Sequence, residues 1–432
     1  MTKYNDFVYQ DYDFNKATRT LSLYYSIDGI VEFSETYKFD FDFTDYDQQV
    51  LDRACEALFF MAGVSYYKAY LPSKIVVEKG SLDSKMAEFF NKTFQKGLGE
   101  FFYLNKLDPN TPIEFPITAS EELTPAKNQN NEGLLIGIGG GKDSLVSVES
   151  LRDTQLNLST WSVGHRPQLT PLVKTIGLPH YWVERQWDRS LLEHNAKGAL
   201  NGHVPISGIL ACAGVVVAVL SGKRDIVVSN ESSANEPTLE YKGVDINHQY
   251  SKSSEFEQDF QNYLDHVFGQ SIHYYSYLRP LSEVRIAELF AHVGQAKYWD
   301  VFSSCNRAYT NDSNKMFWCG KCAKCAFTFL AFTPFIPRHK LEALWNKNLF
   351  LDPDLDHTYK NLLGISGEKP LDCVGEIKES RTAMRLAQRL FPELNKYKFD
   401  IPKSYDYKQL SRHNMPSELY NHLEKAIKSN IK

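Results

Sequence analysis

The sequence has no apolar run long enough to cross a bilayer. Its longest, ISGILACAGVVVAVL at residues 206–220, falls short of the roughly 20 residues a spanning helix needs and reads instead as a buried core helix. The opening residues, MTKYNDFVYQ, lack both the charged and the apolar region of a secretory leader, so the expected location is the cytoplasm and no membrane partner is expected. No basic block is present. The 48 Lys and Arg against 53 Asp and Glu give a formal net charge of -5, which offers no electrostatic footprint for nucleic acid. Internal repeats and low-complexity tracts are also missing, which excludes solenoid and disordered classes. The oligomeric state leaves no mark in the sequence.

What is present suits a multidomain globular protein. The 432 residues are 43% hydrophobic and 23% charged, enough for two or three domains. Residues 20–43 alternate in a strand-like way on both sides of Asp28-Gly29, a hairpin signal because both turn positions need positive φ. Residues 47–63 and 81–99 have helical spacing. The first 125 residues therefore read as a small α+β domain in which no chemistry is visible. The polar stretch 121–133 reads as a linker. Beyond it, strands LLIGI, LNLSTWSVG and DIVVSN alternate with helical segments, among them 201–222, which implies βαβ units and a parallel sheet. The tail beyond residue 376 is helical. The expected fold is α/β with helices on both faces of the sheet, divided at 1–125, 126–300 and 301–432.

The chemistry begins at LIGIGGGKDS, residues 135–144. A strand that ends in glycines and opens a helix is an anion site, because successive backbone N–H groups and the helix N-terminus face the ligand. The GxxxxGK[ST] pattern fails, with Ile136 in place of the first Gly and Asp143 after Lys142; GxGxxG fails at Lys142. What remains, Gly139-Gly140-Gly141-Lys142-Asp143-Ser144, resembles the PP-loop ATP pyrophosphatases, with Gly139 where that group has Ser. Residues 279–289, RPLSEVRIAEL, resemble a second segment of those domains, with Arg285 for the usual Lys. The alternative is a glycine turn with no ligand.

Seven Cys occur, and four fall in a cluster: Cys305, then thirteen residues, then Cys319-Gly-Lys-Cys322-Ala-Lys-Cys325. Four thiolates suit tetrahedral Zn²⁺, and with no open position such a site is structural. Gly320 permits the tight backbone of the knuckle. An iron–sulfur cluster and inert thiols are the competing readings. The cluster resembles the zinc site of 7-cyano-7-deazaguanine synthase. Cys55 and Cys212 lie on apolar helix faces and read as core, whereas Cys373, in GEKPLDCVGE, is a candidate reactive thiol.

Two polar runs follow the third strand, SNESSANEPT at 229–238 and NHQYSKSSEFE at 247–257. Ligands in open α/β sheets bind beyond the C-terminal strand ends. That makes Asn230 and Glu231, and then His248, Lys252 and Glu255, candidates for substrate contact and proton transfer. His203, His165 and Arg166 are further candidates.

Taken together, GGGKDSL, NESSANE, NHQYSKSSEFE, FSSCNRAY, WCGKCAKCAF and KPLDCVGE resemble the UDP-N-acetyl-α-D-muramoyl-L-alanyl-L-glutamate epimerases of bacterial cell-wall (peptidoglycan) synthesis, over about residues 133–380. The resemblance implies an ATP- and Mg²⁺-dependent isomerase that inverts the terminal L-Glu of a UDP-sugar dipeptide to D-Glu through an acyl-adenylate and releases AMP. It implies that Gly139, Gly140, Gly141, Lys142, Asp143 and Ser144 bind the ATP phosphates and that Cys305, Cys319, Cys322 and Cys325 bind zinc. The proton-transfer groups are sought among His248, Lys252, Cys373 and Glu231. The rivals are another PP-loop enzyme (a ligase, or one that modifies a nucleobase or tRNA) and a module that binds ATP without chemistry.

Overall fold

The computed structural model describes residues 4–121, 123–127, 131–309 and 314–431. Residues 122 and 128–130 of the expected linker lie outside the described residues. A single nine-stranded sheet organises the chain, with strands β1 (Asp6–Asn15), β2 (Thr20–Ile27), β3 (Val31–Asp40), β4 (Lys74–Val77), β5 (Leu134–Gly137), β6 (Leu158–Val163), β7 (His180–Gln186) and β8 (Asp225–Val228), then a separate β9–β10 ribbon (Leu239–Tyr241, Val244–Ile246), and β11 (His273–Ser276). The sheet order is β11-β8-β5-β6-β7-β3-β2-β1-β4. The β11-β8-β5-β6-β7 part is parallel throughout.

The N-terminal hairpin forms where the alternation places it. Along β3, Phe33, Tyr37 and Phe39 are buried while Glu32, Ser34 and Lys38 face solvent, the period-2 pattern of a half-buried strand. Asp28 and Gly29 have φ of 51° and 64°, as the turn demands. β3 then pairs antiparallel with β7, Thr36 opposite Gln186 and Asp40 opposite Trp182, so the sheet continues without a break from the N-terminal strands into the parallel part. One inward position of β3 is charged. Glu35 is fully buried and accepts hydrogen bonds from Arg185 Nε (2.6 Å) and Tyr66 Oη (2.8 Å), which offsets the desolvation of the carboxylate.

Helices cover both faces. On one face, α1 (Gln48–Ala62) packs against α3 (Ile206–Ser221), with α4 (Ser254–Phe268) beside them. On the other, α2 (Lys142–Leu151) packs against α5 (Glu283–Val293), and α6 (Ala323–Phe332) joins α5 and α7 (Ile377–Gln388). β5 shows the division, since Leu135 faces the first core and Leu134 and Ile136 the second. α3 is apolar all round because it is buried all round. It begins at Ile206, not at residue 201, because Pro205 at ψ 65° is outside the helical region. Among the described residues no helix is long and apolar enough to cross a membrane.

Candidate active site

Strand order reverses between β5 and β8: the chain runs β5, β6, β7 one way and resumes at β8 on the other side. Crevices open at such a point, outside the carboxyl ends of the strands. Here a cleft of about 360 Å³ is lined by Gly137–Gly139, Gly141, Asp143 and Ser144 after β5, by Trp161–Val163 of β6, by Val228–Asn230 after β8, and by Ser207, Leu210 and Ala211 of α3; Lys252, Ser304, Tyr309, Lys324 and Cys373 close it.

The glycine turn is shaped by its neighbours. Gly140 has φ +87°, and a Cβ there would lie 1.8 Å from the Tyr309 hydroxyl; one on Gly141 would lie 2.7 Å from Ser304 Oγ. Gly139 has nothing within 4 Å of the equivalent position, so the hydroxyl it lacks relative to the family pattern leaves open cleft. Gly141 caps α2 with no side-chain hydrogen bond, which leaves the first N–H groups of the helix free for a ligand. Ser303 N donates to Gly140 O (3.0 Å), tying the segment ahead of the cysteine cluster to the turn.

Lys142 does not line the cleft. It is 1% exposed, and its ammonium lies beneath the turn against Asp143 Oδ1 (2.6 Å) and Glu283. Glu283, from the RPLSEVRIAEL segment, is buried, yet the Lys142 and Lys324 charges hold its carboxyl below the usual range. Lys142 therefore supports the turn through Glu283 rather than reaching into the crevice. Arg285 of the same segment turns away to Glu288 (2.5 Å). It is Arg279, fully buried, that braces the site, donating to Glu257 (2.9 Å), Glu231 O (2.7 Å) and Lys252 O (2.6 Å).

The candidates for proton transfer come together. Lys252 Nζ is 3.1 Å from Cys373 Sγ, and His248 Nε2 is 4.0 Å from the same sulfur. Burial pushes the Cys373 thiol up, but the Lys252 ammonium, the His248 hydrogen bond and the Lys324 charge outweigh it and bring the thiol down to about 6. Burial lowers His248, while Cys373 and Glu100 raise it to a net value of about 9. The Cys373 charge keeps Lys252 protonated well above its ordinary value. Glu231 is 6% exposed behind Asn230; burial, then Glu283 and Asp143, push it up to about 7 against the pull of Lys252 and Lys324.

Other candidates lie elsewhere. Glu255 faces Lys92 (3.0 Å) and Lys96 (2.7 Å), near the start of α4 and away from the cleft. Arg166 is paired with Asp40. His165, at φ 53°, packs its ring on Tyr309 at 5.3 Å. Cys55 and Cys212 are fully buried core residues. Two residues of the site gave no signal of their own in the sequence. Lys324 stands inside the CxxCxxC run and reaches Cys373 O and Glu283 Oε1 (3.6 Å). Glu100, in the N-terminal segment, meets His248 Nδ1 across 148 positions of sequence.

The four clustered thiols fit a single ion. Cys305 and Cys322 sulfurs are 3.9 Å apart and those of Cys319 and Cys325 are 3.8 Å apart. A tetrahedron with metal–sulfur bonds of about 2.3 Å has edges of roughly 3.8 Å, and a cluster of several irons spreads its ligands wider. Gly320 has φ +61° at the knuckle, and Cys322 Sγ accepts from Cys325 N (3.4 Å) at the N-cap of α6. All four can hold a metal such as zinc, and no position remains open for a substrate.

Fold and site together define an α/β protein with a polar crevice at the switch point of a mostly parallel sheet, roofed by a segment carrying a four-thiolate metal-type cluster. Residues 1–277 match the family model of the MurL N-terminal domain and residues 301–396 that of the MurL C-terminal domain; the chain belongs to the MurL family. Relatives named UDP-N-acetyl-alpha-D-muramoyl-L-alanyl-L-glutamate epimerase include that of Salinispora tropica, 37% identical over 388 residues (88% of this chain, 84% of the relative). That of a Micromonospora species is 38% identical over 345 residues (79% and 76%), and that of Xanthomonas oryzae pv. oryzae is 37% identical over 336 residues (77% and 74%).

Proposed function

We propose that this chain is an ATP-dependent epimerase that converts the terminal L-Glu of UDP-N-acetylmuramoyl-L-Ala-L-Glu to D-Glu through an acyl-adenylate, releasing AMP for peptidoglycan precursor synthesis. The observation that carries the reading is one cleft lined both by the glycine turn and by Lys252 and Cys373. Activating a carboxyl and moving the proton on the adjacent carbon are steps on one small group, so they need one cavity. The names of the relatives supply the substrate class.

In this reading the turn N–H groups and the start of α2 receive the phosphates of ATP, with Mg²⁺ shielding their charge. The apolar lining from Trp161, Val163, Leu210 and Ala211 suits the base. The glutamyl α-carboxylate attacks the α-phosphate and pyrophosphate leaves. Coupling to AMP removes the negative charge that would oppose carbanion formation and makes the carbonyl a better electron sink. The Cys373 thiolate takes the α-proton, and Lys252 returns one to the other face, with Glu231 beside it to reload it. The α-carbon enters between Sγ and Nζ and breaks their 3.1 Å contact. Hydrolysis then releases AMP and makes the cycle irreversible. The thiolate cluster is structural and takes no part in these steps.

The test is incubation in D₂O with the UDP-sugar dipeptide and Mg²⁺, with and without ATP. An ATP-dependent gain of one deuterium at the glutamyl α-carbon, with AMP formed and D-Glu recovered, is expected. AMP formed only with other carboxylates or nucleobases would reassign the chain to a different adenylating reaction, and no AMP with any of them would leave a nucleotide-binding module.

A further inference from the structure

The N-terminal segment reaches the proton-transfer site at one point. Glu100 lies on the short helix Gly99–Leu104, and its carboxylate meets His248 Nδ1 while the other ring nitrogen of His248 faces Cys373 Sγ at 4.0 Å. Carboxylate, imidazole and thiol thus stand in a line, the order in which a carboxylate orients an imidazole that in turn holds a thiolate.

The contact is built, not incidental. Gly99 packs against Ile246 of the β9–β10 ribbon, where a Cβ would come within 3.3 Å, and Gly97 leaves room for Pro205, 2.6 Å from the equivalent position. Asn105 Nδ2 donates to Asn201 O (3.0 Å) and Lys68 Nζ to Asn201 Oδ1 (3.3 Å). These contacts fix the loop that carries His203, whose ring lies 4.6 Å from that of His248 and whose Nδ1 is 3.8 Å from Glu100.

We infer that Glu100 is a positioning residue for the proton-transfer site: it fixes the orientation of His248 and keeps it as the imidazolium, and His248 in turn holds Cys373 as the thiolate. The inference rests on the epimerase reading for the use of the thiolate, but the relay itself is a property of the free protein. The charged groups that bear on it are Glu100, His203, Lys68 and Lys252 around His248 and His203, and Lys252, Lys324, Asp372 and His248 around Cys373. His203 is brought down to about 4, by burial first and then by His248, so it is neutral near pH 7 and does not compete with His248 for the proton. Glu100 supplies the negative charge at His248 Nδ1, and the Cys373 thiolate faces the other ring nitrogen.

The experiment compares the full-length protein with Glu100→Gln, an isosteric change, and with His203→Asn as a control. Without substrate, the pH dependence of Cys373 alkylation by iodoacetamide is read by mass spectrometry of its peptide, which separates it from the other six cysteines. Removing the adjacent opposite charge lowers the His248 pKa by about 1–3 units, so the imidazolium beside the sulfur is lost nearer neutral pH, and the Cys373 midpoint moves up in Glu100→Gln and stays in place in His203→Asn. In the assay, α-deuterium exchange near pH 7 falls about twofold for a midpoint one unit higher and about tenfold for two units, while ATP–pyrophosphate exchange stays within about twofold. An unmoved midpoint, or exchange and adenylation falling in parallel, overturns the inference. A shifted midpoint in a protein whose wild type forms no AMP upholds the relay and sinks the substrate reading. Should Glu100→Gln lose its circular dichroism, the same titration of His248→Asn decides, and a wild-type midpoint there overturns the relay.

Discussion

Glu231 offers a measurement in which structure predicts sign and size together. Burial, with Glu283 and Asp143 beside it, raises its carboxyl from the ordinary 4.5 to about 7. A group raised in the folded state contributes stability that is complete below its unfolded pKa and is lost as the pH climbs through the folded one. The window here runs from about pH 4.5 to pH 7. Above it the wild type holds a buried carboxylate at a cost of about 3 kcal/mol, from roughly 1.36 kcal/mol per unit. Glu231→Gln keeps the shape and cannot ionise. For 432 residues, an unfolding entropy of about 2.1 cal/mol/K per residue converts that cost into a gain of about 3 °C in Tm. Differential scanning fluorimetry of both proteins from pH 5 to pH 8.5 should show matching Tm at pH 5 and a variant more stable by this amount above pH 8. A constant offset, or a variant less stable at pH 8.5, would refute the reasoning, because it would mean that Lys252 and Lys324 compensate the carboxylate in full.

Three further outcomes follow from the site. Gly140→Ala places a Cβ 1.8 Å from the Tyr309 hydroxyl at φ +87° and should cost about 1–3 kcal/mol in strain and abolish AMP release, while Gly139→Ser, facing open space, should keep both fold and activity. Cys322→Ser removes one of the four thiols while leaving a hydroxyl that can cap α6; elemental analysis should show metal loss, and Tm should fall by several degrees, with chelation of the wild type giving the same change. The rate of α-proton exchange should rise through about pH 6 as Cys373 ionises and show no fall near pH 9, because the acid, Lys252, is held protonated well above its ordinary range, with the apparent midpoint belonging to the coupled Cys373–His248 pair.

Local features were legible in the sequence and remote ones were not. The Asp28-Gly29 turn and the buried helix α3 carry their own signals, periodicity and turn chemistry within a few residues. The glycine turn, the thiol cluster and the trio His248, Lys252 and Cys373 lie in motifs with unusual residues, and the fold brings that trio to one sulfur. β1, β4, β7 and β11 gave no separate reading, since their strands exist through pairing with partners far along the chain. Glu100 belongs to a segment with no motif, and only packing of the Gly99–Leu104 helix on the ribbon puts it beside His248. The place of Lys142 was equally illegible: it stands in the glycine motif, but a buried Glu283 from 141 positions away holds its ammonium under the turn. Glu255 sits in the same polar run as Lys252, and the first turn of α4 sends it to the surface.

The antiparallel joint between β3 and β7 has a consequence for how this protein can be cut or recombined. An uncovered strand offers its free N–H and C=O groups to any other chain. In the intact sheet the outermost strands are β11 and the four-residue β4, both short. Removing the first 125 residues would leave β7 as a seven-residue border with its hydrogen-bonding groups bare and Arg185 stripped of Glu35. Such a fragment would keep the glycine turn and the thiol cluster and still self-associate. The N-terminal strands therefore act as the selvedge of the parallel sheet, and a soluble minimal version of this protein has to keep them.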